Sequence, residues 1–145
     1  DKGPYLVLPT EQAFDKGERP VNVDASNIVW LGPSSTTWVK SSATSVSTAQ
    51  PQVAFLWGDP QSDQAGGTLI KLPAGFTGKI HSHGPLSATV IKGQAKYLSH
   101  VKTEGKVMAP GSYFSSRGEN THHVSTVGNS DCIIYVRSEG KLDVI

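Results

Sequence analysis

The sequence has 145 residues, a formal net charge of +1, and 17% charged and 37% hydrophobic residues. A chain of this length can bury a core without disulfides, so we expect one domain. Its 13 basic and 12 acidic residues are scattered, so it has no basic cluster of the kind that nucleic-acid binding requires. No apolar run approaches the roughly 18 residues of a membrane span, so we expect a soluble protein that binds small molecules.

Residues that break regular structure are frequent, with 15 glycines and 9 prolines, and they favour short strands over helices. Residues 1–26 predict an arm that lies across the domain or a neighbouring subunit. Two β-rich runs, residues 28–31 and 36–39, flank Gly32-Pro33 and predict a hairpin. Residues 41–52 are rich in Ser, Thr and Ala and predict a surface loop or an edge strand.

The rest of the chain predicts short strands separated by glycine and proline turns. The runs are residues 53–57, 68–72, 88–91, 95–98, 106–108, 112–114, 121–124 and 131–137. No amphipathic pattern of three helical turns interrupts them. About ten short strands at this spacing are typical of a β-sandwich or a β-barrel, so we expect an all-β fold.

Two features concern the compartment of the protein. Cys132 is the single cysteine, and its place in an apolar run predicts a small core residue that says nothing about redox conditions. The sequence begins at Asp1 rather than Met, as it would after removal of a signal peptide. We expect an exported or periplasmic protein, with a cytoplasmic one as the alternative.

The most informative stretch runs from Gly75 to Gly93 and contains His81-Ser-His83. Residues two apart on a strand project from the same face, so both imidazoles are expected to point the same way. If that face is the inside of a small barrel, the pair supplies half of a metal site.

A second histidine pair, His122 and His123, can place only one ring in the interior because neighbours on a strand face opposite sides. Val124 would accompany His122 inward, whereas Thr121 and Ser125 would accompany His123. The first register buries more apolar surface. We therefore choose His122 as the inward residue and keep His123 as the alternative.

Gly75, five residues, His81-x-His83 and Gly93 together resemble the first signature of the cupin superfamily. The segment from Gly111 to His122 resembles the second signature, with glycine and histidine at the usual separation. The resemblance implies a cupin double-stranded β-helix, a jelly-roll barrel of residues 27–145 within a single domain of residues 1–145. Residues 56–60 and 72–76 are also similar to small bacterial cupins, some of which resemble the cupin half of a zinc-binding anti-sigma factor.

The sequence departs from the cupin pattern at two places. The carboxylate that cupins usually supply three or four residues after the second histidine is replaced by Ser87 or Ala88, and Arg117 stands where the second signature has proline. What remains resembles the three-histidine cupins. The resemblance therefore implies one metal ion inside the barrel, bound by His81, His83 and His122.

Four further residues, Gln94, Arg117, Tyr97 and the alternative histidine His123, are candidates for contacts with substrate or with the metal ligands. Gln94 carries an amide that can act as a weak fourth ligand or a substrate donor. Arg117 can hold a substrate carboxylate, although surface placement explains it equally well. Tyr97 can line the pocket or pack in the core. Glu119 and Glu104 are the nearest candidates for a general base, and both lie in loop-like stretches, where a solvated charge is the default.

Three neutral imidazoles leave open coordination positions and the full charge on a divalent ion, which favours anionic or chelating oxygen ligands. We expect a divalent transition metal, first iron or zinc and then nickel or manganese. The resemblance implies an oxygenase acting on a small oxygen-rich or carboxylated molecule. A non-catalytic metal-binding or sensor cupin and a metal-free isomerase-like cupin are the alternatives.

Whether the protein is an enzyme stays open at this point, because fold does not decide function. Cupins often pair through edge strands, and the N-terminal arm would suit such pairing, so we expect a homodimer.

Overall fold

The computed structural model describes residues 24–40, 50–98 and 105–145. These ranges form two five-stranded antiparallel sheets. The first sheet has the order β1-β2-β9-β4-β7 and the second has the order β10-β3-β8-β5-β6. In chain order the strands are β1 Gln52–Trp57, β2 Ala65–Leu72, β3 Thr77–Ser82, β4 Leu86–Lys92, β5 Gln94–Leu98, β6 Lys106–Met108, β7 Tyr113–Ser116, β8 Asn120–Val127, β9 Cys132–Glu139 and β10 Leu142–Val144.

The hydrophobic core lies between the two sheets and is built from alternate residues of their strands. Ile70 and Ile134 from the first sheet and Ile80, Val124 and Leu142 from the second are all fully buried. Each such side chain contributes roughly 1.5–3 kcal/mol when it leaves water. The predicted all-β, two-sheet architecture is therefore confirmed.

The predicted hairpin of residues 28–39 is wrong. Leu31 forms an antiparallel bridge with Val53 of β1, and Val39 forms a parallel bridge with Val144 of β10. The two runs thus attach to edge strands of different sheets. Edge strands present unpaired backbone groups that a passing segment can satisfy, and this tertiary pairing replaces the local one. Residues 1–23 of the predicted arm and residues 41–49 of the predicted loop lie outside the described residues.

Strand β10 is held along both of its edges. It pairs with β3 through Leu142↔Ser82, Asp143↔His81 and Val144↔Ile80. On its other edge the Val144 amide donates to the Trp38 carbonyl over 2.9 Å, and the Lys40 amide donates to the Val144 carbonyl over 2.8 Å. The C-terminal strand is therefore a fixed neighbour of the strand that carries the histidine pair.

Glycine at position 78 allows β3 to lie this close to the C-terminus. A Cβ atom at Gly78 would overlap the Ile145 carbonyl and the ring of Phe76. The amide of Lys79 donates to the same carbonyl over 2.8 Å. A side chain at this position would therefore push the end of the chain away from β3.

Helical structure in the described parts of the chain is limited to one 3-10 turn, Ala25–Asn27. Asp24 caps it by accepting hydrogen bonds from the hydroxyl and amide of Ser26, and these bonds lower the pKa of the Asp24 carboxyl. Among the residues that the structure describes, no helix has the length and apolar character needed to span a membrane.

Candidate metal site

The register of β3 turns the histidine pair away from the barrel interior. Ile80 and Ser82 are fully buried, so His81 and His83 lie on the outer face of the second sheet. Lys79, two residues before His81, is exposed and lies on the same face as the two histidines. Placing the pair inside would have buried the Lys79 ammonium and exposed Ile80, which is unfavourable on both counts.

The two histidines form a compact group with Glu119 on this outer face. Their rings meet edge to face with centroids 4.6 Å apart, and the Nε2 atom of His81 lies 3.4 Å from Oε1 of Glu119. One potential ligand atom from each of the three residues falls within 4.8 Å of the others. Within residues 24–40, 50–98 and 105–145, this is the group of three metal-ligating side chains that the structure brings together.

The separation between His81 and Glu119 fits shared coordination of one ion. Two ligand atoms about 2.1 Å from a tetrahedral zinc ion lie roughly 3.4 Å apart, which matches the observed contact of 3.4 Å. The side chains of His81, His83 and Glu119 are 24%, 44% and 67% exposed. The donor set is therefore open to solvent, as a site with free coordination positions requires.

Glu119 reaches this group because β8 runs alongside β3. The pairs His81↔Thr121 and Ser82↔Asn120 fix the register, and the preceding residue, Glu119, emerges where β3 ends near His83. Glu119 and Thr121 are two residues apart and so share the outer face. Sequence reasoning treated Glu119 only as a candidate base. The signal that could have identified it is its spacing from His122. Residues three apart on an extended chain face opposite sides, so an inward His122 implies an outward Glu119.

Each histidine of the pair has one ring nitrogen engaged by a neighbouring side chain. The Nδ1 atom of His81 lies 2.8 Å from the hydroxyl of Thr121, and the Nε2 atom of His83 lies 3.0 Å from Oδ2 of Asp143. Such contacts orient a metal-ligating imidazole and leave its other nitrogen for the ion. The group thus contains potential metal ligands and side chains that orient them.

His122 lies on the opposite face of the same sheet, as the sequence-based choice of register predicts, but away from the pair. It is fully buried. Its Nδ1 is 2.8 Å from the hydroxyl of Tyr97 and its Nε2 is 3.1 Å from the hydroxyl of Ser116. Burial raises the pKa of Tyr97. Both nitrogens of His122 are thus engaged by core hydroxyl groups.

The expected set of three histidines is therefore not brought together. Backbone pairing places His122 opposite Ile80, on the inward face, and Thr121 opposite His81, on the outward face. A strand pair cannot present both sets to one ion because the sheet backbone separates them. In the structure, Glu119 rather than His122 is the third residue of the group.

The remaining sequence candidates are not members of the three-residue donor set. Tyr97 is inside the barrel with His122. His123 has the same parity as Thr121 and lies on the outer face, paired with Lys79 and Leu98, but it is not part of the three-residue group. Gln94 is exposed at the start of β5, and Arg117 is exposed in the turn before β8.

A cavity of about 480 Å³ lies on the other sheet of the molecule. Lys71 of β2 contributes one wall, and its Nζ atom sits 4.0 Å from the ring centroid of Trp30. Gln52 is the cross-strand partner of Lys71. The cavity is lined by Trp30, Gly32, Pro33, Ser34, Ser35, Gln50, Gln52, Lys71, Pro73 and Asp131. It offers mainly polar groups and is independent of the histidine pair.

The two antiparallel sheets form a jelly roll, and solved structures with the cupin fold are similar to it. The acetylacetone dioxygenase of Acinetobacter johnsonii is similar over 100% of this chain and 84% of its own, with 16% identity and a TM-score of 0.59. The polyketide cyclase RemF of Streptomyces resistomycificus is similar over 87% of this chain and 84% of its own, with 13% identity and a TM-score of 0.61. An RmlC-like cupin of Ralstonia eutropha is similar over 92% and 76%, with 18% identity and a TM-score of 0.58.

The protein thus has the cupin fold. More narrowly, the chain belongs to the family described as a domain of unknown function, DUF4437, whose family model matches residues 1–145. A search of curated proteins finds no match.

Proposed function

We propose that this protein is a metal-binding cupin that holds a divalent transition metal with His81, His83 and Glu119. The observation that carries the proposal is the convergence of one potential ligand atom from each residue within 4.8 Å. The contacts of His81 with the Thr121 hydroxyl and of His83 with the Asp143 carboxylate support it. The metal proposed from the sequence is retained, and Glu119 takes the place of His122.

Two imidazoles and one carboxylate are the protein donors of many open metal sites. Non-haem iron oxygenases and catalytic zinc sites both use this set, so iron and zinc remain the first metals to test, with nickel and manganese next. A bound ion would supply Lewis-acid or redox chemistry at the open positions. Glu119 offsets part of the charge of the ion, and the exposure of the group gives a small molecule direct access.

The activity we propose to test first is oxygenation of a small oxygen-rich or carboxylated molecule. The fold likeness to an acetylacetone dioxygenase makes acetylacetone a reasonable first probe. The protein's own residues would bind and orient such a ligand through the open side of the group. This is the finer part of the proposal and rests on the metal site.

The first experiment is elemental analysis by plasma mass spectrometry of protein purified without a histidine tag or chelator. We expect near-stoichiometric iron, zinc, nickel or manganese, lost in the His81→Ala/His83→Ala variant. Oxygen uptake with acetylacetone is then measured on the iron-loaded protein. Absence of metal after purification and after reconstitution would overturn the metal proposal.

Two single variants separate the possible third ligands. Glu119→Ala is expected to lower the metal content, whereas His122→Phe is expected to retain it. His123→Ala removes an imidazole from the same face as the pair but not from the proposed donor set. Loss of metal in His123→Ala with retention in Glu119→Ala would move the third ligand to His123.

The second candidate function is a non-catalytic ligand-binding or sensor cupin, and the cavity beside Trp30 favours it. The lining combines the ammonium group of Lys71 with amides, hydroxyls and the carboxylate of Asp131. The ammonium group can pair with a small carboxylate that also donates or accepts hydrogen bonds at the neighbouring polar groups. Trp30 provides a fluorescence reporter for titration with acetate, succinate or citrate, with glycerol as the uncharged control. Saturable carboxylate binding that Lys71→Gln abolishes, without oxygen uptake, would favour this function.

A metal-free isomerase-like cupin, the third alternative, would bind its ligand equally well with and without a chelator. The same titrations repeated in EDTA would separate it from a metal-dependent sensor.

We also propose that residues 1–145 form one domain that assembles as a homodimer. Strands β6 and β7 are edge strands of the two sheets, and Val107 and Tyr113 on them are 47% and 62% exposed. Exposed apolar edges are natural pairing surfaces. Size-exclusion chromatography with light scattering tests this, and a monomer mass at micromolar concentration would contradict it.

A further inference from the structure

The carboxylate of Asp143 is placed behind the ring of His83. Its Oδ2 atom lies 3.0 Å from Nε2 of His83, and its side chain is 27% exposed. Asp143 stands opposite His81 in the pairing of β10 with β3, so His83 is its diagonal neighbour on the same face. Diagonal neighbours across strands are within reach of long side chains.

The chemistry of this contact determines where the imidazole carries its proton. An ionised carboxylate can only accept a hydrogen bond, so Nε2 of His83 must be the donor. A neutral imidazole with its proton on Nε2 has its lone pair on Nδ1. The contact therefore leaves Nδ1 as the nitrogen that can bind a metal.

The same reasoning is weaker for His81. A threonine hydroxyl can donate or accept, so Thr121 allows either tautomer of His81. The carboxylate contact is the one that fixes a tautomer, and it involves His83 alone.

The backbone beneath Asp143 is held firmly enough to make this contact a fixed one. The amide of Leu142 donates to the Pro60 carbonyl over 3.0 Å, and the amide of Val144 donates to Trp38 over 2.9 Å. The side-chain amide of Gln61 donates to the Leu142 carbonyl over 2.7 Å. Residues on both sides of Asp143 are thus anchored, so its carboxylate is positioned before any ligand arrives.

We infer that Asp143 is a positioning residue that fixes His83 as the Nε2–H tautomer and presents Nδ1 of His83 to the metal. This inference rests on the proposed metal function. It assigns different ligand atoms to the two histidines, since the contact between Glu119 and His81 is made by Nε2 of His81. The carboxylate behind the ring also raises the basicity of the ligand nitrogen.

The tautomer is measured first, on the metal-free protein at mildly alkaline pH. Long-range nitrogen–proton correlation spectra of protein with isotope-labelled histidine distinguish the protonated ring nitrogen from the bare one. The His83→Ala variant identifies the signals of His83. We expect His83 to be the Nε2–H tautomer in the wild type and a mixture of tautomers in Asp143→Ala. Asp143→Asn keeps the shape of the side chain but carries both an oxygen acceptor and an NH2 donor, so it allows either tautomer, and we expect a mixture there as well.

Zinc affinity is measured next, by competition with a chromophoric chelator. Loss of a supporting partner typically weakens metal binding about 10–100-fold, and we expect this for Asp143→Ala. Asp143→Asn lacks the anionic acceptor and fixes no tautomer, so we expect a loss of similar size. Asp63→Ala removes the same charge from an exposed position between β1 and β2 and serves as the matched control, with an expected change below about 3-fold.

The possible results separate this inference from the proposed function. An Nδ1–H tautomer of His83 in the wild type would overturn the inference, whether or not metal binds. Unchanged zinc affinity in Asp143→Ala, together with lost binding in His83→Ala, would also overturn it and leave the proposed function intact. Absence of zinc binding in the wild type would overturn the proposed function, and with it the role of Asp143 toward a metal, even if the tautomer is as expected.

Discussion

The two faces of the second sheet carry the same residue type in opposite chemical settings. On the inner face, His122 is fully buried and hydrogen-bonded to Tyr97 and Ser116. On the outer face, His81 and His83 are partly exposed and flanked by carboxylates. The inner ring is a satisfied polar group of the core, whereas the outer pair has the surroundings of a metal ligand set.

This difference follows from strand parity alone. His122 shares a face with Val124, and both are fully buried, whereas the outer pair shares a face with Lys79. Each strand takes the register that buries its aliphatic residue and keeps its charge in water. The aliphatic and charged neighbours of a histidine therefore determine the face on which it lies, and that face determines which groups its ring can contact.

The strongest contrast between the two faces should appear in stabilisation by zinc. At about 100 times its dissociation constant, a ligand of the folded state stabilises it by about 2.7 kcal/mol. We expect zinc to raise the melting temperature of the wild type and of His122→Phe by several degrees, and to leave that of His81→Ala/His83→Ala unchanged. Differential scanning calorimetry with and without zinc measures the melting temperatures of the three proteins. Equal stabilisation of all three proteins would remove the contrast.

Adjacent histidines on β8 provide a matched pair for unfolding stability. His122→Ala leaves a cavity and deprives Tyr97 and Ser116 of a buried partner, so we expect a loss of about 2–4 kcal/mol. His123→Ala, on the outer face, is expected to cost less than about 1 kcal/mol. Urea denaturation followed by fluorescence compares them. Similar midpoints for the two variants would mean that the assigned register of β8 is incorrect.

Removing only the charge of Glu119 should have an intermediate effect. Glu119→Gln keeps the shape of the side chain but replaces an anionic oxygen by an amide, so we expect zinc affinity to fall about 10–100-fold. Glu139→Gln, on the first sheet, is the matched control because Glu139 pairs with Arg137 over 3.1 Å. Zinc competition titrations measure both, and equal affinities would exclude Glu119 as a ligand.

The smallest expected effect concerns a titrating group of the interior. Burial raises the pKa of Cys132 from 9.0 to about 11, so the folded state keeps this proton over a range where the unfolded state has lost it. Its stabilising contribution is therefore complete below about pH 9 and is lost as the pH rises toward 11. We expect a decrease of about 1–2 kcal/mol across this range.

Denaturant titrations between these two pH values check this expectation. The Cys132→Ala variant should lose less stability over the same range. Tyr97, whose pKa is also raised by burial, contributes in the same direction and accounts for a remainder. A pH dependence identical in the two proteins would contradict the role of Cys132.

Much of the fold was readable from the sequence because its causes are local. Apolar runs bounded by glycine and proline predicted strands within β1, β2 and β9 to within a few residues. The choice of His122 over His123 for the interior also agrees with the structure, since Val124 accompanies it. These features depend on side-chain alternation and turn residues, which the sequence displays directly.

The prediction of a hairpin at residues 28–39 was wrong because the local sequence does not show which distant strands these residues pair with. Leu31 and Val39 pair with residues in β1 and β10, because edge strands distant in the sequence offer backbone partners. No turn signal in the sequence reports which edges will be available.

By itself, then, the sequence determined the all-β class, the cupin resemblance and the two histidines two residues apart. Only the tertiary structure decided that they meet Glu119 and Asp143 rather than His122. The physical reason is that alternation along a strand fixes the face on which a side chain lies. Which side chains it meets on that face depends on which strands pair and in which register.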